Sequence, residues 1–184
     1  MAIARSQITP SGREVFFDKD EIIVSKTDTK GIITYANDVF MRIAKYDEDE
    51  VIGKPHNMIR HPDMPRSVFK LLWDTISSGQ EIFAYVKNMT ADGGYYWVIA
   101  HVTPSTQDGR IVGYHSNRRS PNRNALARVT PLYDAMLMEE RRHSRPQDAI
   151  TAGTQVLLNA IADSGYTTYD EWVWSLEPEL EVVR

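Results

Sequence analysis

The stretch from residue 81 to residue 117 contains three strand-like segments in immediate succession, and it constrains the fold more than any other part of the chain. The segments EIFAYVKNMT and YYWVIAHVT flank the turn sequence ADGG, and GRIVGYHSN follows the turn sequence QDG. β-Branched and aromatic residues between glycine-containing turns are typical of strands that are joined as hairpins. The sequence therefore predicts three consecutive antiparallel strands.

Two more strands and several helices precede this stretch. Residues 22–26 and 32–35 are β-branched runs on either side of a polar turn, which predicts another hairpin. A short helix follows, in which Asn37 can cap the first turn, and Gly53 ends the helical region. MPRSVFKLLWDTISSG is the clearest helix, because its apolar residues recur at helical spacing. The predicted fold class is α+β: a five-stranded antiparallel sheet with short helices on one face, plus a C-terminal helical extension.

The sequence pattern of the C-terminal part of the chain predicts helices only. NALARVTPLYDAMLMEERRH carries an apolar stripe at helical spacing, and we expect Pro131 in the first turn of this helix. RPQDAITAGTQVLLNAIADSG is a second amphipathic helix, and TYDEWVWSLEPE begins with a capping-box pattern. We therefore expect three parts, which are an N-terminal cap over residues 1–20, a sheet domain over 21–120 and a helical extension over 121–184.

The composition excludes several classes of protein. None of the 184 residues is a cysteine, which excludes disulfides, thiolate metal sites, cysteine nucleophiles and photochemistry through a flavin–cysteine adduct. The sequence has no GxGxxG, GxxxxGK[ST], GxSxG or HExxH motif. It therefore gives no support for a nucleotide-binding loop, a serine hydrolase or a zinc enzyme of the common types. The net charge is −4, and positive and negative residues are interspersed along the sequence. No apolar run approaches the ~18 residues of a membrane span. We expect a cytoplasmic protein that neither binds nucleic acid nor inserts into a membrane.

Residues 54–65, KPHNMIRHPDMP, are too charged for a core and too rich in proline for a long helix. Arg60 offers a planar, fork-shaped cation that suits a phosphate or pyrophosphate group better than a lysine would. The prolines restrict the backbone and so lower the ordering entropy that binding must offset. His61 can donate a hydrogen bond to the same group, and Asp63 can orient Arg60 or His61 or cap the next helix. We interpret the segment as a rigid cationic rim of a ligand pocket.

The wall of such a pocket is predicted on the strand that begins near residue 82. Strand alternation places Ile82, Ala84, Val86 and Asn88 on one face, three apolar positions followed by one amide. This pattern suits a flat apolar ligand with a polar edge, and Trp97 on the next strand is a further candidate for the pocket. A buried amide without a partner costs ~1–3 kcal/mol, so Asn88 should bond either the ligand or a neighbouring backbone group.

Five short motifs together resemble the FAD-binding PAS domain of aerotaxis receptors. The motifs are ITYANDVF, KPHNMIRHPDMP, VKN, YYWV and GYHSNRRSP, and the resemblance extends over residues 9–143. It implies a PAS fold that holds FAD without a covalent link and passes the redox state of the flavin to a signalling protein, such as a chemoreceptor or kinase-control module. It further implies cofactor contacts at the following positions: Arg60, His61, Asp63 and Asn88, with His56 and Asn57 of the same segment as additional candidates.

The chain departs from this family in two respects. Ile82 and Phe83 stand where the family often has a tryptophan, and the membrane and kinase-control modules of the receptors do not follow the sheet domain. We therefore expect a stand-alone redox sensor that is not an enzyme and that forms a homodimer through its flanking helices. Two alternatives stay open, namely a PAS domain that binds haem through a histidine such as His61 or His101, and a cofactor-free PAS interaction module.

Overall fold

The computed structural model describes residues 8–177. The two ends of the predicted cap and extension, residues 1–7 and 178–184, lie outside the described residues. None of the helices in the described range is long and apolar enough to span a membrane.

The chain divides into two compact units. The first consists of Met1–Pro62 and Thr75–Ser120, and the second consists of Asp63–Asp74 and Pro121–Arg184. The second unit thus includes a short stretch from the middle of the predicted sheet domain. The boundaries expected from the sequence do not anticipate this arrangement.

Five strands form one antiparallel sheet in the first unit. They are β1 (Ile23–Thr27), β2 (Ile33–Ala36), β3 (Ile82–Met89), β4 (Tyr95–Gln107) and β5 (Arg110–Arg119). Their order across the sheet is β2-β1-β5-β4-β3, so the first hairpin pairs with the last strand, and β2 and β3 are the edges. The five-stranded antiparallel sheet predicted from the hairpin signals is confirmed.

Helical elements connect β2 to β3. They are α1 (Asp38–Ala44), α2 (Glu48–Val51), a 3₁₀ helix (His56–Ile59) and α3 (Arg66–Ser77). The Asn37 side chain accepts a hydrogen bond of 3.0 Å from the Phe40 amide, which confirms the predicted cap of α1. Gly53 adopts a positive φ of 78° just after α2, at the predicted end of the helical region.

The N-terminal segment lies along the start of β4, beyond the end of β5. The Ser11 amide donates to the Gly93 carbonyl at 2.8 Å. The backbone of Tyr95 donates to the Arg13 carbonyl at 2.9 Å and accepts from the Val15 amide at 2.7 Å. These bonds cover backbone groups of β4 that would otherwise form an open edge.

The second unit contains the C-terminal helices α4 (Arg123–Glu140), α5 (Pro146–Asp163) and α6 (Tyr169–Leu176). α4 and α5 pack against each other as a helical hairpin, and α6 contacts α5. The capping box at the start of α6 is present as predicted, because Thr168 and Glu171 each accept from the backbone of the other.

The prediction that Pro131 lies in a first turn is wrong, because α4 begins at Arg123 and contains Pro131 in its interior. Proline has no amide hydrogen to donate to the carbonyl of Ala127, so one helical bond is missing. Pro131 and Ala127 are both exposed, and water can satisfy that carbonyl. The buried Val129 and Tyr133 on either side keep the helix in register despite the proline.

Two glycines in turns provide a matched test of the N-terminal packing. Gly93 and Gly109 both have positive φ, so alanine at either position costs about 1–2 kcal/mol. A Cβ at Gly93 would also collide with the Thr9 carbonyl oxygen, whereas nothing lies within 4 Å of a Cβ at Gly109. We expect Gly93→Ala to lose about twice as much free energy of unfolding as Gly109→Ala in urea titrations. Equal losses would show that residue 9 does not press on this turn.

Candidate functional site

One face of the sheet gathers the predicted pocket wall and several polar side chains. Residues that pair across antiparallel strands share a face, and the register pairs Asn88 with Tyr96 and Ala100 with Arg118. Ser116 belongs to the same face, since it lies two residues from Arg118, and it pairs with Ser25 of β1. We call this the inner face, and it includes the following residues: Ile82, Ala84, Val86, Asn88, Tyr96, Ala100, Ser116, Arg118 and Ser25.

Arg118 is the dominant charge of the inner face. Its side chain is 3% exposed, and Nη2 donates to Ser25 Oγ at 2.6 Å and to His56 Nε2 at 2.5 Å. The guanidinium carbon lies 5.7 Å from the centroid of the Phe40 ring. Burial lowers the pKa of Arg118 to about 10, so the group keeps its charge at neutral pH. Across the described residues, no carboxylate forms an ion pair with it.

His56 fixes the guanidinium by acting as a hydrogen-bond acceptor. Burial of the ring, and then the positive charge of Arg118, lower the pKa of His56 to about 3. The imidazole is therefore neutral at physiological pH, and Nε2 carries the lone pair that accepts from Arg118. A protonated histidine would place a second cation beside the first.

Backbone pairing at both ends positions the segment that carries His56. Pro55 pairs with Ile32 just before the edge strand β2, and Arg60 pairs with Asn88 of the other edge strand β3. The short 3₁₀ helix between these two points brings His56 to the inner face. The predicted rim is thus anchored at both edges of the sheet by its main chain.

Four buried polar atoms of the inner face lack a hydrogen-bond partner among the described residues. They are Asn88 Nδ2, Tyr96 Oη, Ser116 Oγ and Arg118 Nη1. Burial raises the pKa of Tyr96, and Asn88 lies near enough to affect that pKa, although no hydrogen bond of normal geometry joins the two side chains.

Each of these unsatisfied groups costs about 1–3 kcal/mol, and a charged group costs more. The set therefore suits a ligand that presents several hydrogen-bond acceptors along one edge and an apolar body beside it. The aromatic ring of a flavin, with its carbonyl oxygens and ring nitrogens on one edge, has this character.

The structure separates Trp97 from the pocket wall. Trp97 pairs with Lys87, whose side chain points to the face opposite that of Asn88, and Tyr96 occupies the inner position instead. The predicted pocket residue Trp97 therefore lies on the face of the sheet opposite Asn88. Strand alternation allows only one of these two aromatic neighbours to face inward.

The other predicted rim residues occupy different environments. Arg60 is half-buried, and Asn57 and Asp63 are exposed. His61 is buried, its amide donates to the Lys87 carbonyl, and its ring packs edge-on against Tyr95 with centroids 5.9 Å apart. The structure therefore brings His56 to the inner-face polar group but places the His61 ring beside Tyr95.

The strand histidine considered as a haem ligand lies on the other face. His101 pairs with Asn117 and contacts Glu81 at 2.7 Å, and its ring stacks on Phe83 with a centroid distance of 4.1 Å. No group of three or more candidate metal ligands occurs in the described range.

Sequence reasoning missed Arg118, Tyr96, Ser116 and Ser25. The signal for two of them was present in GYHSNRRSP, where alternation from Tyr114 puts Ser116 and Arg118 on one face. The adjacent Arg119 is exposed and points the other way. Because two arginines are adjacent in the sequence, the sequence alone does not show that Arg118 is the buried one.

Known proteins share both sequence and fold with this chain. The family model of the PAS fold (PAS_3) matches residues 33–118. The aerotaxis receptor of Escherichia coli (strain K12) is 41% identical over 117 residues, which are 64% of this chain and 23% of the receptor. The biofilm dispersion protein BdlA of Pseudomonas aeruginosa is 30% identical over 96 residues, which are 49% of this chain and 23% of that protein. The chain thus spans less than a quarter of either relative.

A solved structure gives the same result for the fold. The dark structure of the blue-light photoreceptor Aureochrome1 LOV has a TM-score of 0.55 at 18% sequence identity, and the match covers 59% of this chain and 82% of that one. Together with the family match, it confirms the fold predicted from the order of the elements.

The low pKa of His56 predicts how stability depends on pH. An unfolded histidine takes up a proton near pH 6.5, whereas the folded one resists it down to about pH 3, so acid favours the unfolded chain in this window. Lowering the pH from 7 to 5 should reduce the free energy of unfolding of the parent protein by about 2 kcal/mol through this group alone. We expect His56→Gln to remove that part of the pH dependence in urea titrations. An unchanged pH dependence would contradict the neutral state of His56.

Proposed function

We propose that this chain, whose residues 33–118 match the PAS fold family, is a flavin-binding redox sensor. FAD would be held without a covalent bond on the inner face. The motif resemblance to the aerotaxis-receptor domain and the 41% identity to such a receptor support this proposal.

The observation that carries the proposal is Arg118, a buried guanidinium with no carboxylate partner among the described residues and with Nη1 unbonded. Burying a charge without a counter-charge costs several kcal/mol, so a fold that keeps one there needs a compensating group. The acceptor-rich edge of a flavin ring would accept hydrogen bonds from Arg118 and Asn88. The apolar row next to Asn88 would contact the body of the ring: Ile82, Ala84 and Val86.

The remaining parts of FAD would be bound by the rim. The Arg60 guanidinium suits the doubly anionic pyrophosphate, and the backbone pairing of Arg60 with Asn88 fixes its main chain next to the ring site. His61 and Asp63 stay predicted contacts through the family resemblance. His56 would act through Arg118, which it holds by accepting from Nη2.

Sensing would depend on fixed charges of the protein. FAD supplies reversible redox chemistry when it is bound. Arg118 cannot change its charge at neutral pH, and the amide of Asn88 can both donate and accept, so their interactions respond to any change of charge or protonation at the ring edge. A useful switch requires the oxidised and reduced states of the flavin to differ by about 1–3 kcal/mol in the free energy that couples the flavin to the protein conformation.

The output would be protein contact and not catalysis. We propose a signalling partner of the chemoreceptor or kinase-control type and a cytoplasmic location. The expected homodimer stays a prediction. The apolar stripe of α4 is already buried within one chain at Val129, Tyr133 and Met136, and Met138 is the large apolar side chain of α4 that is exposed, at 61%.

The two alternative functions have less support. The His61 ring packs edge-on against Tyr95, and His101 contacts Glu81 and stacks on Phe83 on the opposite face, which does not favour either of them as a haem ligand over the inner face. A cofactor-free interaction module would leave four buried polar atoms unsatisfied.

Replacing Arg118 should have opposite effects on stability and binding. Arg118→Gln removes an uncompensated buried charge, so the flavin-free protein should be as stable as the parent or more stable. Loss of a charged hydrogen bond should weaken flavin binding by roughly tenfold to a hundredfold in fluorescence titrations. The matched control is Arg119→Gln, since Arg119 is exposed one residue away and should leave both properties unchanged. Flavin affinity equal to that of the parent in Arg118→Gln would exclude a role for this residue.

Comparing FAD with riboflavin separates the two arginines. Arg60→Ala should weaken FAD binding by about tenfold or more and leave riboflavin binding unchanged, because riboflavin has no pyrophosphate. Arg118→Gln should weaken both ligands to the same extent. An equal loss of riboflavin affinity in Arg60→Ala would contradict the assignment of Arg60 to the pyrophosphate.

A further inference from the structure

The first turn of α3 is held by a carboxylate from the far end of α4. Glu140 Oε2 accepts from the Arg66 amide at 2.9 Å, and Oε1 accepts from the Ser67 amide at 2.9 Å and from Ser67 Oγ at 2.7 Å. Glu140 is 6% exposed and lies 73 residues from Ser67 along the chain. All of these residues belong to the second unit.

This carboxylate is compensated without a cation. Among the described residues, no lysine, arginine or histidine forms an ion pair with Glu140. Its three donors lie at the N-terminus of α3, where the helix dipole and the unsatisfied amides favour a negative charge. The Arg66 and Ser67 amides in the first turn of α3 both donate to the Glu140 carboxylate.

Gly153 of α5 makes room for this contact. A Cβ at Gly153 would lie 2.7 Å from Glu140 Oε1 and 2.7 Å from Ser67 Oγ. Any side chain at this position would displace the carboxylate or the hydroxyl. Three helices therefore meet at one buried point: α3 supplies the donors, α4 the acceptor, and α5 the space.

We propose that Glu140 is a latch that ties the α4–α5 hairpin to the first turn of α3, and that the state of the ligand site reaches the C-terminal helices through it. The second half of this proposal rests on the proposed flavin-sensing function. Its physical basis is chain continuity, since α3 follows the rim segment within a few residues and belongs to both units, with residues 66–74 in the second and 75–77 in the first.

Hydrogen exchange in the ligand-free protein tests the latch itself. Glu140→Gln turns one carboxylate oxygen into an NH₂ group, which faces an amide donor and cannot accept from it. The Arg66 and Ser67 amides should then exchange about tenfold faster or more, and the α4–α5 hairpin should lose protection. Gly153→Ala should give the same pattern with Glu140 intact. Ser67→Ala, which removes only one of the three bonds, should give a smaller change.

The matched control is Glu139→Gln. Glu139 is the neighbour of Glu140 and pairs at the surface with Arg142 and His143, so its loss should leave exchange at residues 66 and 67 unchanged. Unchanged protection of these two amides in both Glu140→Gln and Gly153→Ala would overturn the latch.

Repeating the exchange measurement with bound FAD, oxidised and then reduced with dithionite, tests the transmission. In the parent, the redox state should change exchange across residues 123–163. In Glu140→Gln with equal flavin content, that change should be lost while the flavin absorption spectrum stays that of the parent. A response of full size in Glu140→Gln would overturn the transmission. A parent protein that takes up no FAD would refute the sensing function and the transmission together, and the ligand-free comparison would still decide the latch.

Discussion

The buried guanidinium of Arg118 is the constraint around which the inner face is organised. A cation that is 3% exposed and has no carboxylate partner within residues 8–177 must be stabilised by dipoles, and the structure supplies a serine hydroxyl, an imidazole nitrogen and an aromatic ring. These neutral groups compensate part of the desolvation cost and leave Nη1 without a bond. The described residues therefore supply no hydrogen-bond acceptor to the Nη1 donor.

The same interaction explains why the rim segment crosses the sheet. His56 can reach Arg118 only if its helix is held over the inner face, and the bridges at Pro55 and Arg60 hold the segment at both ends. Burial of the ring, together with the positive charge of Arg118, in turn lowers the pKa of His56 and keeps it unprotonated. Backbone pairing, histidine protonation and the orientation of the guanidinium thus depend on one another, so a change at any one of them alters the electrostatics of the whole site.

The sequence was sufficient for the features that depend on local periodicity. Alternation placed Asn88 correctly with its apolar row, because a strand has a side-chain period of two. It could not choose between Tyr96 and Trp97, because one residue of register in the ADGG hairpin exchanges the faces. The contact between Glu140 and Ser67 joins residues 73 positions apart, and no local pattern encodes it. The roles of Arg60, His61 and Asp63 in binding come from family resemblance and stay predictions.

Arg118 and Glu140, two of the buried charged side chains among the described residues, differ in how well their hydrogen-bonding groups are satisfied. Glu140 has donors on both carboxylate oxygens, all supplied by its own unit, so its site is complete without a ligand. Of the two terminal nitrogens of Arg118, Nη2 is hydrogen-bonded and Nη1 has no partner among the described residues. A satisfied buried ion rigidifies the elements it joins, whereas an unsatisfied one favours any group that completes it. In the proposed function, the first kind of site holds helices together and the second would bind the flavin, and α3 has residues in both units.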